Sequence, residues 1–184
     1  MSVTIVSGVN GVGLSSVCQA VRRGLGEGYT LINFGDVMLE QAATMGITTE
    51  RSELGSLSQT QTRRLQRRAG EFVADEAASA DVLLSTHLAV ETQVGYVQGL
   101  PAEVLHDVSP ASFVLVEAEP ETILERRRGG DRDLRGVTER KVSFEQDLNR
   151  SAALQYARDQ DVPVRFIENE GSIEKAASDL ADAL

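Results

Sequence analysis

The chain has 184 residues, 41% hydrophobic and 25% charged, a composition that excludes a disordered, collagen-like or coiled-coil protein and fits one compact domain over residues 1–184. Acidic residues outnumber basic ones by 28 to 18, for a net charge of −10, so no nucleic-acid partner is expected. No apolar run approaches the ~20 residues that span a bilayer and the start has no basic n-region of a signal peptide, so no membrane partner is expected; the single Cys18 excludes an intrachain disulfide framework and fits a reducing cytoplasm.

Residues 3–7 form a β-rich run that ends at Gly8, and residues 15–25 read as a helix with Val17, Ala20, Val21 and Leu25 on one face. Residues 29–33 are a second strand and 36–45 a second helix. After a polar connector, Ser58 opens a long helix to about residue 79, followed by a third strand over 82–86. Residues 88–100 lack clean periodicity, and a short helix is expected over 102–108. Residues 113–117 form a fourth strand. Pro120 then stands at a favourable first-turn position for a helix to residue 128, which Gly129 and Gly130 break. A helix over 138–159, a fifth strand over 164–167 and a closing helix over 172–184 complete the chain. Strands alternating with helices predict a parallel sheet covered on both faces, with a ligand at the carboxyl ends of its strands.

The sharpest local signal is Gly8-Val9-Asn10-Gly11-Val12-Gly13-Leu14-Ser15-Ser16, between the first strand and the first helix. It matches the phosphate-binding G-x-x-x-x-G-K-[ST] pattern except that Leu14 stands where the lysine belongs. Glycines let backbone N–H groups converge on an anion, and the helix that follows adds its positive end to the same place. Ser15 takes the position of the hydroxyl that holds Mg²⁺ in that motif, and Ser16 offers a second hydroxyl or serves the first turn. The dinucleotide pattern G-x-G-x-x-G is absent, and no acid closes the second strand.

The positive charge is concentrated. Only Lys141 and Lys175 are lysines; the other basic residues are arginines. Residues 51–68 carry a balance of +4 and residues 126–150 one of +3, leaving −17 on the remainder. Two arginine-rich segments on an acidic chain would attract a small anion, and arginine suits bidentate contact with phosphate.

These features together resemble the archaeal-type adenylate kinases. The resemblance is carried by the opening strand and glycine turn, by Ile32 to Met38, and by residues 51–70 with Gln61, Arg63 and Arg64. It continues through Thr86-His87, Thr92, Gly95-Tyr96 and Gly99-Leu100-Pro101, and through Ile123 to Arg127, Arg132-Asp133 and Asn149-Arg150. It runs end to end. It implies a three-layer P-loop NTPase-type fold with a five-stranded parallel sheet, a small monophosphate-binding lobe over about 34–70 and a short lid over about 128–140. It implies the reaction ATP + AMP = 2 ADP with Mg²⁺, in a cytoplasmic and often trimeric homo-oligomer. ATP phosphates would lie on Gly8 to Ser16, with Ser15 on the metal. AMP would lie near Gly35, Asp36, Arg64 and His87, and the catalytic charges would come from Arg126, Arg132 and Arg150.

Three positions depart from the family pattern: Leu14 for the loop lysine, Ser85 for an acid at the end of strand three, and Gly55 for an arginine in the monophosphate lobe. They leave two alternatives open, a monophosphate kinase of other base specificity and a nucleotide-binding regulatory module without turnover. His87 reads as structural or substrate-positioning rather than as a metal ligand or base. Cys18, Tyr96 and Phe144 read as core, and at least one of Arg126, Arg127 and Arg128 as merely solvated.

A strongly acidic, lysine-poor surface suits a solvent in which salt screens self-repulsion, and equally an ordinary acidic protein of a GC-rich genome. In the first case, withdrawing salt lowers the melting temperature. A Tm that stays flat or rises as salt is removed would exclude salt adaptation.

Overall fold

The computed structural model describes residues 1–25, 28–92, 95–129 and 137–184. Five strands form one parallel sheet: β1 (Val3–Ser7), β2 (Tyr29–Asn33), β3 (Asp81–Thr86), β6 (Ser112–Glu117) and β7 (Val164–Glu168), in the order β2-β3-β1-β6-β7. All five are the strands read from the sequence. Ser7 is in register with Thr86 on one side and Leu115 on the other, so the carboxyl ends of the three central strands meet at the start of the glycine turn.

Alternation along the strands sends side chains to two separate cores. Val3, Ile5, Leu84, Phe113 and Leu115 pack under α2 (Phe34–Thr44), α3 (Gln59–Ala77), α4 (Ala102–Val108) and the second half of α6 (Glu139–Gln160). Val6, Leu83, Val114 and Val116 pack under α1 (Leu14–Gly24), α5 (Pro120–Arg128) and α7 (Ile173–Ala181). Most of these residues are fully buried, at about 1.5–3 kcal/mol for each large aliphatic or aromatic side chain.

The helix starts are set by side chains. Asn33 accepts from the Asp36 N–H, Thr138 from that of Lys141 and Ser172 from that of Lys175. Ser58 and Gln61 form a reciprocal capping box at the head of α3. Two elements differ from expectation. The aperiodic stretch after β3 holds an antiparallel hairpin, β4 (Ala89–Thr92) and β5 (Gly95–Gln98). Its strands have four residues each and bury neither face, so they show no alternation. The polar connector before α3 contains a 3₁₀ turn, Arg51–Ser56. Tyr96 and Phe144 are not core residues. Their rings meet edge to face at 5.7 Å where the hairpin touches α6, and Phe144 is 51% exposed. Residues 130–136 of the expected lid, Arg132 and Gly130 among them, lie outside the described residues.

Cys18 is buried on α1, where desolvation pushes its thiol from the usual 9.0 up to about 12. The native thiol should therefore resist alkylation at pH 8 and react as soon as the chain is unfolded in denaturant. Because the unfolded chain sheds this proton first, stability should decline as pH rises from about 9 toward about 12. Rapid labelling of native protein would contradict the packing.

Candidate active site

The glycine turn is shaped by close approach and by left-handed backbone. A Cβ at Gly8 would lie 2.7 Å from the Val116 carbonyl oxygen, so the turn leaves the sheet where no side chain fits. Gly11 and Gly13 have φ of +87° and +89°, conformations that glycine adopts without strain. Gly13 caps α1 with no side-chain hydrogen bond, so the first N–H groups of that helix have no cap.

Three alternate carbonyls of the turn are held from behind by side chains of other elements. His87 Nδ1 lies 2.7 Å from the Gly8 oxygen, and since a carbonyl only accepts, Nδ1 carries the proton. Arg127 Nε donates to Asn10 O at 2.7 Å. Val12 O accepts from Asn169 Nδ2 at 2.8 Å and from Arg126 Nη1 at 3.2 Å. With these oxygens tied outward, the loop is held as a nest for an anion. Arg127 is 9% exposed and also pairs with Glu145 at 2.6 Å, so the loop is bound through it to α6.

In front of the turn lies a cleft of about 520 Å³. One wall is the turn itself, with Val9, Asn10, Gly11, Gly13, Leu14, Ser15 and Ser16. The other comes from α2, the 3₁₀ turn, α3 and the hairpin, and includes Gly35, Arg51, Gly55, Gln66 and Val97. Thr86, His87 and Arg126 also face it. Ser15 and Ser16 are exposed in the first turn of α1. Gly8 and Val12 are buried in the loop's foundation rather than on the cleft wall.

Leu14 turns its side chain into the apolar cluster of Val17, Val21 and Leu180, and is only 9% exposed. The apolar side chain thus belongs to the core. The loop guanidinium that lines the cleft is that of Arg126, which also donates to Asn169 O at 2.8 Å. Asp36 pairs with Arg51, whose guanidinium stands 3.0 Å from where a Gly35 Cβ would be. Arg51 was signalled only as one member of the arginine-rich segment, and Asn169 by nothing in the local pattern. Arg64 is exposed on α3 and does not line the cleft, so the structure does not bring it to Gly35. Arg150, expected among the catalytic charges, does not line the cleft. It is held by Glu117 through two bonds of 2.7 Å and by Asp147 at 2.8 Å, contacts that raise its pKa further. Arg132 lies outside the described residues. Arg128 is exposed at the end of α5. Ser85, the departure in strand three, is buried and gives its hydroxyl to Ile32 O at 3.4 Å. Gly55 borders open space, with room for a longer side chain.

Behind the loop is a smaller cavity of about 270 Å³, lined by Arg127, Lys141, Glu91, Glu145 and Tyr96 among others. Its charges are paired: Lys141 binds Glu91 at 2.8 Å, and that bond raises the lysine pKa. Among the described residues no group of three His, Cys, Asp or Glu stands ready to hold a metal. Ser15, Ser16 and Thr86 are among the hydroxyl-bearing residues that line the cleft. That donor set fits Mg²⁺, which keeps most of its shell as water and substrate phosphate.

Arg127 and Glu145 test this loop support. Arg127→Leu should lower stability by about 3 kcal/mol, because it strands a buried carboxylate and frees the Asn10 carbonyl. Adding Glu145→Leu should recover most of the stability and leave the loop's anion affinity impaired. Equal affinity in the double variant and the wild type, measured by calorimetry, would remove Arg127 from the support of the loop.

A family model described as an AAA domain matches residues 7–142. The adenylate kinase of Thermococcus onnurineus is 35% identical over 99% of this chain and 94% of its own length. That of Methanothermobacter thermautotrophicus is 32% identical over the whole of both chains. Among solved structures, shikimate kinase from Bacteroides thetaiotaomicron superposes with a TM-score of 0.61 at 15% identity, covering 99% of this chain and 97% of its own, a likeness of fold. With identity above 30% sustained along the full length, and a P-loop cleft in the place the sequence predicts, this chain belongs to the adenylate kinase family.

Proposed function

We propose that this protein transfers the terminal phosphoryl group of ATP to AMP, reversibly, giving two ADP. The observation that carries this reading is that one cleft is lined both by the phosphate nest and by a second wall bearing Arg51 beside Gly35. Two phosphate-bearing ligands then share a single cleft. The nest takes the ATP phosphates, with Ser15 and Thr86 the hydroxyls offered to Mg²⁺. Mg²⁺ supplies neutralisation of phosphate charge when it is bound with ATP.

The chemistry asks for positioning more than for a base. A phosphate oxygen of AMP attacks the terminal phosphorus in line, the bond from that phosphorus to the bridging oxygen breaks, and ADP leaves with that oxygen. Fixed N–H donors and guanidinium groups favour the charge spread over the transferring group. Arg126, at the edge of the cleft, and Arg132, in the lid segment, are assigned that charge. Arg150 is assigned to holding α6 against Glu117. His87 keeps the loop in register through Gly8 and faces the acceptor side. The lid over about 128–140 is assigned the exclusion of water, which otherwise takes the phosphoryl group. A cytoplasmic homo-oligomer, a trimer by the family resemblance, completes the reading, and light scattering measures its size.

A coupled assay for ADP from ATP and AMP, with Mg²⁺ and at high salt, tests the activity. ADP formed only when AMP is supplied is the expected result. Turnover with a different monophosphate would reassign the acceptor, and ATP binding without turnover would make the protein a regulatory module.

A further inference from the structure

The β4–β5 hairpin stands between two cavities. Opposite residues of an antiparallel pair share a face, and successive pairs alternate. Val90 pairs with Val97, and both line the nucleotide cleft. The next pair, Glu91 with Tyr96, lines the smaller cavity of about 270 Å³. One short ribbon thus turns an apolar face to a ligand in the cleft and carries polar groups on its back.

Those polar groups end on α6. Lys141 Nζ donates to both Glu91 oxygens, at 2.8 and 3.0 Å. The Tyr96 hydroxyl donates to Glu145 Oε1 at 3.4 Å. Burial, with the nearby carboxylates of Glu145 and Glu91, raises the pKa of this phenol, so it keeps the proton it donates. The other oxygen of Glu145 is taken by Arg127 at 2.6 Å, and Arg127 Nε holds the Asn10 carbonyl of the phosphate turn at 2.7 Å. Polar contacts therefore run without a break from the back of the hairpin to the turn. Their tightness differs. The Arg127–Glu145 pair is nearly buried and short, whereas the Tyr96 contact is long beside the usual O–H···O distance of about 2.7 Å. The slack is at Tyr96.

We propose that Tyr96 is a positioning residue that couples the two nucleotides: a nucleotide seated against Val90 and Val97 closes the Tyr96–Glu145 contact, and Glu145 then holds Arg127 and the Asn10 carbonyl more firmly in the anion-binding shape. Acceptor binding raises the affinity of the nest, and by linkage a phosphate chain in the nest raises the affinity for the acceptor by the same factor. The inference rests on both nucleotides sharing this cleft. It goes further in naming a residue outside the cleft lining that makes their binding cooperative.

Calorimetry with AMP and the β,γ-imido analogue of ATP, in the presence of Mg²⁺, reads the coupling without turnover. In the wild type, saturating AMP should tighten the analogue about five-fold, and saturating analogue should tighten AMP by the same factor. Tyr96→Phe keeps the ring against Phe144 and removes the hydroxyl, and in it both factors should fall to within about two-fold of unity. A hydroxyl that served folding alone would weaken each ligand by itself and leave the factors at their wild-type value, which would overturn the proposal. Wild-type protein without coupling would overturn it as well. If Tyr96→Phe fails to fold, Val97→Ala gives the second reading, since it withdraws the side chain on which the nucleotide presses. The factors should again fall toward unity, and factors kept at their wild-type value overturn the proposal. Coupling lost in the variant, with no ADP formed from ATP and AMP by the wild type, would count against phosphoryl transfer and leave Tyr96 in its role. Turnover without coupling would do the reverse, and absence of AMP binding would overturn both.

Discussion

The site depends on the restraint of three backbone carbonyls. A glycine-rich loop has little stiffness of its own, since glycine confines its backbone least. Here the oxygens of Gly8, Asn10 and Val12 are taken in turn by His87, Arg127, and Asn169 with Arg126. These partners come from the end of β3, from α5 and from the segment after β7, so the loop's shape is written by elements distant in sequence. Two of the four partners are cations: Arg127 stands behind the loop and adds to its positive potential, and Arg126 also lines the cleft.

The same elements are fastened to one another by polar side chains of α6. Gln146 donates to Ala118 O at 3.0 Å and Asn149 accepts from Ser7 Oγ at 2.8 Å, both in buried surroundings. Glu145 and Arg150 lie in the same stretch and reach Arg127 and Glu117. α6 follows directly on the segment proposed as a lid. A buried polar row of this kind resists sliding, because each group that moves leaves a desolvated partner. It fixes this stretch of α6 against the core.

The sheet was legible in the sequence because each strand is a short apolar or β-branched run bounded by a turn signal. The heads of α3, α6 and α7 were legible because Ser58, Thr138 and Ser172 are good capping residues. The phosphate turn was legible as a motif in its required place between strand and helix. The hairpin was not, since two half-buried strands of four residues have no fully buried face to impose a period. Nor were the distinct duties of Arg126, Arg127 and Arg128, because successive helical positions point about 100° apart and only the fold decides which meets the loop. Arg64 and Arg150 were named through the family resemblance, yet one is solvated on α3 and the other is held by two carboxylates. Asn169 could not be read from its neighbours, as its partner lies 157 residues away.

Leu14 has a chemical corollary. With leucine in the loop and the chain's two lysines at 141 and 175, no ε-amino group stands on the described wall of the nucleotide cleft. Acylating reagents, aldehydes that form Schiff bases and enzymatic acetylation all act on amines, and none of them finds a target there. The positive groups that remain are backbone amides and guanidinium ions, which keep their protons across the range in which proteins survive. The phosphate site is thus set apart from the metabolic chemistry that marks and silences lysine-bearing nucleotide sites.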